Sequence, residues 1–199
     1  MAKKYTWLEE SFGFYASYHD NAINKAIHIV FVWMILWTAC LFLQYTPQVP
    51  GTEFLNDMLP DGMIFNYALL VGIAYFLFYF FVELPGVVGP LAAAMMAVTL
   101  VTTSNMKNAH EDAYKLGTVL HVAAWIAQFI GHGVFEKRAP ALFDNLLQAF
   151  VMAPLFVVME VFFMVGYKPK FSANIAEIVK ENKRIFAKES ASKGQKKSS

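Results

Sequence analysis

Five apolar stretches alternate with polar connections along the chain of 199 residues. A helix needs about 20 mainly apolar residues to cross a bilayer, so the first, second and fifth stretches are long enough and the third and fourth are marginal. The pattern predicts an all-α protein, a polytopic membrane helical bundle of four to five apolar segments. In chain order the stretches cover 26–45, 63–82, 87–103, 116–130 and 146–165.

The segments at both ends of the chain are amphipathic. The first 25 residues have no continuous apolar core, so we expect no cleavable signal peptide. Their spaced aromatic residues indicate an N-terminal amphipathic helix lying at the membrane interface. Ile175 and Ile178 predict another short amphipathic helix, with polar disorder from Lys188 onward. We therefore expect one membrane-embedded domain over 1–171 and a basic, partly helical and then disordered tail over 172–199.

The composition is that of a membrane protein. Hydrophobic residues make up 57% of the chain, above the roughly 45–50% of soluble domains, and charged residues make up 16%, against about 25%. The lone Cys40 lies inside an apolar stretch, so neither a disulfide framework nor a cysteine zinc site is predicted. This composition predicts contact with the lipid bilayer, and with a net charge of +1 no nucleic acid is expected as a partner.

Charges in the connections predict the orientation. Residues 46–62 contain three carboxylates and no Lys or Arg, whereas Lys137 and Arg138 follow the fourth stretch and nine of the 16 basic residues lie after residue 167. Because cytosolic loops are enriched in Lys and Arg, we expect residues 46–62 to be lumenal and the C-terminus cytosolic. A re-entrant fifth stretch, kinked or broken near Pro154, would keep the tail on the cytosolic side.

The C-terminus carries a short candidate targeting motif. Lys196 and Lys197, followed by two serines, resemble the dilysine retrieval signal of endoplasmic-reticulum membrane proteins. Cytosolic coat proteins read that signal. The motif therefore predicts a multi-pass protein of the endoplasmic-reticulum membrane, with coat proteins as partners of its tail.

A dense polar cluster over 131–145 separates the fourth and fifth stretches. Ionisable side chains beside a membrane segment are costly and are typical of functional sites. His132 and Glu136 are four residues apart, about one helical turn, and could present an imidazole and a carboxylate to one metal ion or substrate. The adjacent Lys137 and Arg138 fit two roles, a cytosolic anchor or a clamp for a substrate carboxylate.

Two further histidines lie near the start of the first stretch. His19 and His28 are nine residues apart, so in one continuous helix their side chains would face opposite ways. Asn21 is a good N-cap, and a helix that begins directly after it would leave His19 free to fold back. Asn24 and His28 would then share one face of that helix.

The predicted orientation places His19, His28 and His132 at one membrane face. Neutral imidazoles with open coordination positions suit ferrous iron or zinc, and the alternative is that these histidines only form hydrogen bonds at the interface. His121 lies about 16 Å from His132 along a helix, at about 1.5 Å per residue, so one ion cannot bind both. Glu160, inside the fifth stretch, is a functional candidate because carboxylates are rare within membrane segments.

Two motifs carry a resemblance to a known family. The first is Tyr18-His19-Asp20-Asn21 continuing to His28, and the second runs from Gln128 to Leu142 and is followed by Asp144-Asn145. Together they resemble the endoplasmic-reticulum 2-hydroxy fatty acid dioxygenase family of small multi-span membrane proteins, and the similarity covers about residues 10 to 167. Ala22 stands where many members have proline, which reduces the rigidity of the helix start and leaves the chemistry unchanged.

The resemblance implies an iron-dependent dioxygenase acting in fatty acid and sphingolipid metabolism. A 2-hydroxy long-chain fatty acid and O2 would give a product one carbon shorter, and residues 1–171 would be the catalytic domain. The implied Fe(2+) ligands are His19, His28 and His132. We assign Glu136 as a fourth ligand or general base and Lys137 or Arg138 as the carboxylate anchor. Residues that orient the imidazoles or lie beside them are Asn24, Asp144, Asn145 and Glu160.

Two other classes of function remain alternatives at this point. A di-iron membrane desaturase would need several HxxxH-type pairs, and the five histidines of this chain contain none. A non-enzymatic membrane organiser or small transporter of the endoplasmic reticulum would explain the apolar segments and the dilysine tail. It would leave the polar cluster over 131–145 without a role.

Overall fold

The computed structural model describes residues 4–137 and 148–197, and these two ranges contain helices and no strand. The predicted all-α bundle is confirmed. A short 3-10 helix covers Glu53–Met58, and π-helical segments cover Gly131–Glu136 and Gln148–Met152. The α-helices are α1 (Trp7–Ala16), α2 (Ala22–Leu43), α3 (Tyr67–Val82), α4 (Val88–Ala109), α5 (Ala113–Ile130), α6 (Ala153–Met164) and α7 (Pro169–Lys197).

Side-chain caps decide where the first two helices begin. Thr6 and Glu9 form a reciprocal capping box, in which the Glu9 N–H donates to Thr6 Oγ1 at 3.2 Å and the Thr6 N–H donates to Glu9 Oε2 at 2.7 Å. Asn21 Oδ1 accepts from the N–H of Ile23 at 2.9 Å and starts α2. The predicted cap at Asn21 is therefore confirmed, and residues 17–21 separate α1 from α2.

The lengths of the apolar helices differ from the predicted ones. α2, α4 and the continuous segment Ala113–Glu136 are long and apolar enough to cross a membrane, whereas α3, with 16 residues, is shorter. The prediction that 87–103 and 116–130 are marginal and that 63–82 is long enough is wrong. α4 and α5 extend into their polar flanks, whereas α3 begins only after its cap at Asn66.

The fifth apolar stretch is broken after its helix and not in the middle. Pro154 lies in the first turn of α6, where its missing N–H is tolerated, and the helix changes from π to α geometry directly before it. The chain bends by 115° between 149–164 and 169–186. Gly166, with φ 83°, and Lys168, with φ 44°, adopt left-handed backbone at this bend. A bent pair of this kind fits a broken span or a re-entrant segment, so the re-entrant topology stays a prediction.

The aromatic face of α1 is part of the protein core. Phe12 is 2% exposed, and its ring centroid lies 4.9 Å from that of Phe156 and 5.3 Å from that of Phe163. Tyr15 also packs against Phe156, at 5.2 Å. α6 offers these side chains an apolar partner inside the protein, so α1 does not simply present its aromatic residues to the lipid interface.

α7 is longer than the predicted tail helix and packs back on the bundle. It begins at Pro169, so the predicted domain boundary at 171/172 falls inside it, and it continues to Lys197, past Lys188, where the sequence predicts disorder. Strong helix formers such as Ala, Lys, Glu and Gln dominate this stretch. Its first half lies against α1, where Asn174 Nδ2 donates to Glu9 Oε1 at 2.7 Å.

Glu83 joins the turn between α3 and α4 to the turn between α6 and α7. Its side chain is buried, and the carboxylate accepts hydrogen bonds from the N–H of Gly89 at 3.0 Å and from the hydroxyl of Tyr167 at 3.0 Å. Lys168 forms an ion pair with the same carboxylate. These contacts stabilise the N-terminus of α4, because a carboxylate there satisfies an N–H that has no helical partner.

Replacing Glu83 with alanine is expected to lower the free energy of unfolding by about 1–3 kcal/mol, because the buried Gly89 N–H and the Tyr167 hydroxyl lose their acceptor. The measurement is a thermal melt of the purified protein in detergent. Glu111→Ala removes an exposed carboxylate and should leave the melting temperature unchanged. Equal melting temperatures for the two variants would contradict the structural role of Glu83.

Candidate metal centre

Three histidines from three separate segments meet at one end of the bundle. His19 lies between α1 and α2, His28 lies in the second turn of α2, and His132 lies in the π-helical segment after α5. The ring centroids are 4.2 Å apart for His19 and His28, and 4.8 Å apart for each of the other two pairs. One ligand nitrogen of each ring lies within 4.8 Å of the others. This spacing allows the three side chains to share one metal ion.

The break between α1 and α2 allows His19 to reach His28. In one uninterrupted helix the two side chains would face opposite ways, but residues 17–21 turn the chain before Asn21 starts α2. The His19 ring stacks on Tyr15, with centroids 4.0 Å apart and planes inclined by 23°. Helix capping by Asn21 and stacking on Tyr15 therefore position the first histidine.

Backbone carbonyls select the tautomers of two of the histidines. Nδ1 of His19 lies 2.7 Å from the carbonyl oxygen of Tyr15, and Nδ1 of His28 lies 2.9 Å from the carbonyl oxygen of Asn24. A carbonyl oxygen only accepts hydrogen bonds, so each Nδ1 carries the proton and donates it. The Nε2 lone pair of each neutral ring is then available to a metal ion, as in most histidine metal sites.

The histidines lie in surroundings that keep them uncharged and leave nitrogen atoms unpaired. His19 is 4% exposed, and burial lowers the pKa of its imidazole well below the usual value, with the neighbouring His28 adding to the effect. Nε2 of His19 and Nδ1 of His132 are buried and have no hydrogen-bond partner. Because an unpaired buried polar atom is costly, these atoms fit a bound metal ion. The donor set of neutral imidazoles suits Fe(2+) or zinc.

Glu136 is placed differently from the assignment as a fourth ligand or base. Its Oε1 accepts from the backbone N–H of Asn21 at 2.7 Å and from Nδ2 of Asn24 at 3.1 Å. The carboxylate therefore contacts the first turn of α2 and is not among the three side chains that could hold the metal. Asn24 is fully buried, and its backbone carbonyl, not its side chain, contacts His28.

Glu160 and Lys25 form an ion pair beside the histidines. Lys25 Nζ lies 2.8 Å from Glu160 Oε1, so the carboxylate that lacks a basic neighbour in the sequence has one from α2 in the fold. Glu160 Oε2 and the hydroxyl of Tyr15 are buried without a hydrogen-bond partner. Burial, with the Glu160 carboxylate nearby, raises the pKa of Tyr15 well above its usual value, so the phenol stays protonated.

The remaining assigned residues follow the π-helical segment. Lys137 is exposed and has left-handed backbone, φ 53°, which ends this segment. Arg138, Asp144 and Asn145 lie outside the described residues.

An apolar cavity of about 500 Å³ opens beside the three histidines. This volume is within the roughly 300–1,000 Å³ of small-molecule sites. α2 and α5 form its long walls, with contributions from α1, α3, the π-helical segment Gln148–Met152 and the start of α6. The lining side chains besides the histidines of the metal centre are Phe14, Tyr15, Val32, Ile35, Leu36, Ala39, Tyr75, His121, Trp125, Gln128, Phe129, Ala149, Phe150, Ala153 and Pro154.

A hydrogen-bonded group lies at the other end of this cavity. Nδ1 of His121 lies 2.7 Å from Oγ1 of Thr38, and the indole N–H of Trp125 donates to Nε2 of His121 at 3.0 Å. Both ring nitrogens of His121 therefore have partners, and this histidine joins α5 to α2. His28 of α2 lies beside His132, and Thr38 of α2 lies beside His121 of α5, so α2 and α5 are antiparallel. At about 1.5 Å per residue, the distance along the helix from His132 to His121 is about 16 Å, which gives the length of the cavity from the metal centre to its far end.

The sequence reasoning missed several residues of the site. Tyr15 stacks on His19, Lys25 pairs with Glu160, and Trp125 and Gln128 line the cavity. Gln128 is 5% exposed, and its Nε2 has no hydrogen-bond partner. An amide inside an apolar stretch is a signal that could have pointed to Gln128 from the sequence. Tyr15 and Trp125 carry no such signal, because they resemble ordinary aromatic residues of a protein core.

Comparison with known proteins decides the family. The model of the Mpo1-like family, described as 2-hydroxy-palmitic acid dioxygenase Mpo1-like, matches residues 5–165, which is most of the chain. The chain belongs to the Mpo1-like family. It is also 32% identical over 181 residues to a protein of Saccharomyces cerevisiae named 2-hydroxy-palmitic acid dioxygenase MPO1, covering 89% of this chain and 94% of the yeast protein. No solved structure matches.

The Mpo1-like match includes the three histidines and every helix from α1 to α6. It ends at residue 165, so α7 lies beyond the part of the chain that defines the family. The resemblance found from the two motifs, around His19 and around His132, is confirmed by this match.

Proposed function

We propose that this protein is an iron-dependent dioxygenase that carries out α-oxidation of 2-hydroxy fatty acids to a product one carbon shorter. The observation that carries the proposal is the position of three buried histidines at one end of an apolar cavity. The yeast relative, named for its action on 2-hydroxy-palmitic acid, supports the substrate class. Membership of the Mpo1-like family supports an enzymatic function over a membrane organiser or transporter.

His19, His28 and His132 are the proposed ligands of Fe(2+). When bound, ferrous iron would supply the redox chemistry for the reaction of a 2-hydroxy acid with O2. The protein orients two of the imidazoles through the carbonyls of Tyr15 and Asn24. The shortened acid, CO2 and water together contain the atoms of the substrate and O2, so no organic cosubstrate is needed.

Glu136 is proposed to act by positioning the start of α2. Service as a metal ligand would require its carboxylate to leave the N–H of Asn21 and the side chain of Asn24, which would then lose their acceptor. Lys137 or Arg138 is proposed to anchor the substrate carboxylate. Asp144 and Asn145 are proposed to orient imidazoles. Glu160, which is paired with Lys25, is proposed to neutralise that cation beside the site.

The acyl chain is proposed to lie in the cavity between α2 and α5. Its lining is almost entirely apolar, and methylene groups gain about 0.8 kcal/mol each on burial. Chain length would then be limited by the far end of the cavity, where Ala39 and His121 lie.

Ala39→Trp is expected to fill the far end of the cavity and to reduce turnover of 2-hydroxypalmitate at least about 10-fold. A short-chain 2-hydroxy acid should still be turned over, because only the long acyl chain reaches the new side chain. The measurement is kcat/KM for a series of chain lengths. Val30→Trp places the same side chain on an exposed position of α2 and is the control. An unchanged chain-length profile in Ala39→Trp would show that the chain lies elsewhere.

We propose the endoplasmic-reticulum membrane as the location, with the metal centre and the C-terminus cytosolic. The helices long enough to cross a membrane support a multi-pass protein. Lys196 and Lys197 would be read there by coat proteins. The lipid bilayer would supply the substrate, whose head group would stay at the membrane face that carries the histidines.

The test of the proposed function is anaerobic reconstitution of the purified protein with Fe(2+), followed by incubation with 2-hydroxypalmitate under O2 and analysis of the products. We expect stoichiometric iron and a product one carbon shorter. Zinc-loaded protein is the control, because zinc has no redox chemistry. Purified protein that takes up no iron, or iron-loaded protein that forms no shortened product, would overturn the proposal.

A further inference from the structure

The residues on both sides of His19 in the chain are contacted by one helix, α7. Asn182 Nδ2 donates to Oγ of Ser17 at 3.0 Å, and Nζ of Lys183 lies 2.5 Å from Oδ2 of Asp20. Ser17 lies two residues before His19, and Asp20 lies directly after it. α7 thus binds a polar side chain on each side of the proposed ligand.

Apolar contacts continue the same interface. The ring of Tyr18 lies 5.6 Å from that of Phe186 in an edge-to-face arrangement, and Tyr18 is 5% exposed. One turn earlier, Gly13 of α1 lies against Ile178, so closely that a Cβ on Gly13 would be 2.5 Å from Cγ2 and 2.8 Å from Cβ of Ile178. Ser17 is also buried, and its hydroxyl donates to the carbonyl of Gly13 at 2.6 Å.

We propose that α7 is a positioning element of the metal centre: Asn182, Lys183 and Phe186 hold the segment 17–20 so that His19 stays beside His28 and His132. The inference rests on the proposed iron site. None of the three residues is among the side chains that could hold the metal, so they act through the backbone that carries the ligand. α7 lies outside the part of the chain matched by the model of the Mpo1-like family.

The location of His19 explains why outside support is needed. His28 and His132 lie within helical segments whose backbones are held by their own hydrogen bonds, whereas His19 lies in a five-residue connection between two helices. Metal sites require their ligands within about 0.5 Å of the productive geometry. Stacking on Tyr15 orients the His19 ring, and α7 fixes the chain on which the ring is carried.

The ion pair alone contributes little to this role. Lys183 and Asp20 are exposed to solvent, which screens the attraction between their charges. The hydrogen bond to the buried Ser17 and the aromatic contact with the buried Tyr18 carry more, because both are shielded from water. The test therefore has to remove the three contacts together.

The experiment compares two triple variants of the full-length protein in detergent. Asn182→Ala/Lys183→Ala/Phe186→Ala removes the three contacts, and Lys180→Ala/Arg184→Ala/Lys188→Ala removes three exposed side chains of the same helix. We expect Fe(2+) affinity to fall about 10-fold in the first and to stay unchanged in the second, as for other outer partners of metal ligands. The visible spectrum of the Co(2+)-substituted protein should change in the first triple variant only, because that spectrum reports ligand geometry.

The outcomes separate this inference from the proposed function. Wild-type protein that binds no iron would overturn the proposed function itself. Wild-type protein that binds iron, with equal affinity and an equal Co(2+) spectrum in the contact-removing variant, would overturn the role of α7 alone. Lys183→Arg/Phe186→Leu keeps the charge and the apolar contact and should bind iron as the wild type does. Should the triple variant unfold, Asn182→Ala alone is judged by the same criterion, with an expected loss in the same direction.

Discussion

Replacing His132 with phenylalanine is expected to remove iron binding and turnover of 2-hydroxypalmitate together. Phenylalanine keeps a ring in the buried position and removes both ligand nitrogens, so two imidazoles remain, from His19 and His28. The loss of iron affinity should exceed the roughly 10- to 100-fold that removal of an outer partner costs. Iron content after dialysis and product formation under O2 are the measurements.

The matched control is a histidine outside the centre. His110 is exposed at the C-terminal end of α4 and is absent from the cavity lining, so His110→Phe should keep full iron content and activity. The stability of the metal-free His132→Phe protein should be close to that of the wild type, because the unpaired buried Nδ1 is removed. Full iron content in His132→Phe would exclude this residue as a ligand.

Local chemistry in the sequence was enough to predict that the three histidines could meet. The cap at Asn21 separates α1 from α2, and this local signal is what turns His19 toward His28. The charge distribution of the connections placed His132 at the same end of the bundle. The helix cap depends only on neighbouring residues, and the charge pattern depends only on the composition of each connection. Neither signal depends on how the helices pack.

Features that depend on helix packing could not be predicted from local patterns. Glu136 is one turn from His132 in the sequence, which suggests a shared ligand role, but α2 lies close enough for the carboxylate to accept from Asn21 instead. The pairing of Lys25 with Glu160 joins residues far apart in the chain. The C-terminal segment was expected to form a short amphipathic helix, but its sequence does not show which surface its apolar residues meet; in the fold, Ile178 lies against Gly13 of α1.

Burial at the metal centre and in the cavity has different physical origins. The cavity walls are mainly apolar and are stabilised by contacts between side chains, with hydrogen bonds such as that between Thr38 and His121. The metal centre buries polar nitrogens and compensates only part of their cost, through the carbonyls of Tyr15 and Asn24. We therefore expect Fe(2+) to raise the melting temperature, since a ligand that binds only the folded state stabilises it.

Gly131→Ala is expected to disrupt the metal centre although it adds one methyl group. The backbone of Gly131, with φ −51° and ψ −53°, accepts any residue, so the constraint is space. A Cβ at this position would collide with Oδ1 of Asn24, and would lie 3.3 Å from Cγ of Asn24 and 3.5 Å from Cδ1 of Ile27. Asn24 is fully buried, so its side chain can move away only by disturbing its hydrogen bond to Glu136 or by shifting the start of α2, which also carries His28.

Overpacking of this kind costs about 1–3 kcal/mol, and we expect iron affinity to fall about 10-fold as His28 shifts. Gly133→Ala is the control, because it lies on the other side of His132 in the same π-helical segment and a Cβ there would meet no atom within 4 Å. It should keep iron affinity and match or slightly exceed the wild-type melting temperature, since alanine lowers the entropy of the unfolded chain. Equal iron affinities for the two variants would show that the close approach of Gly131 to Asn24 does not position the ligands.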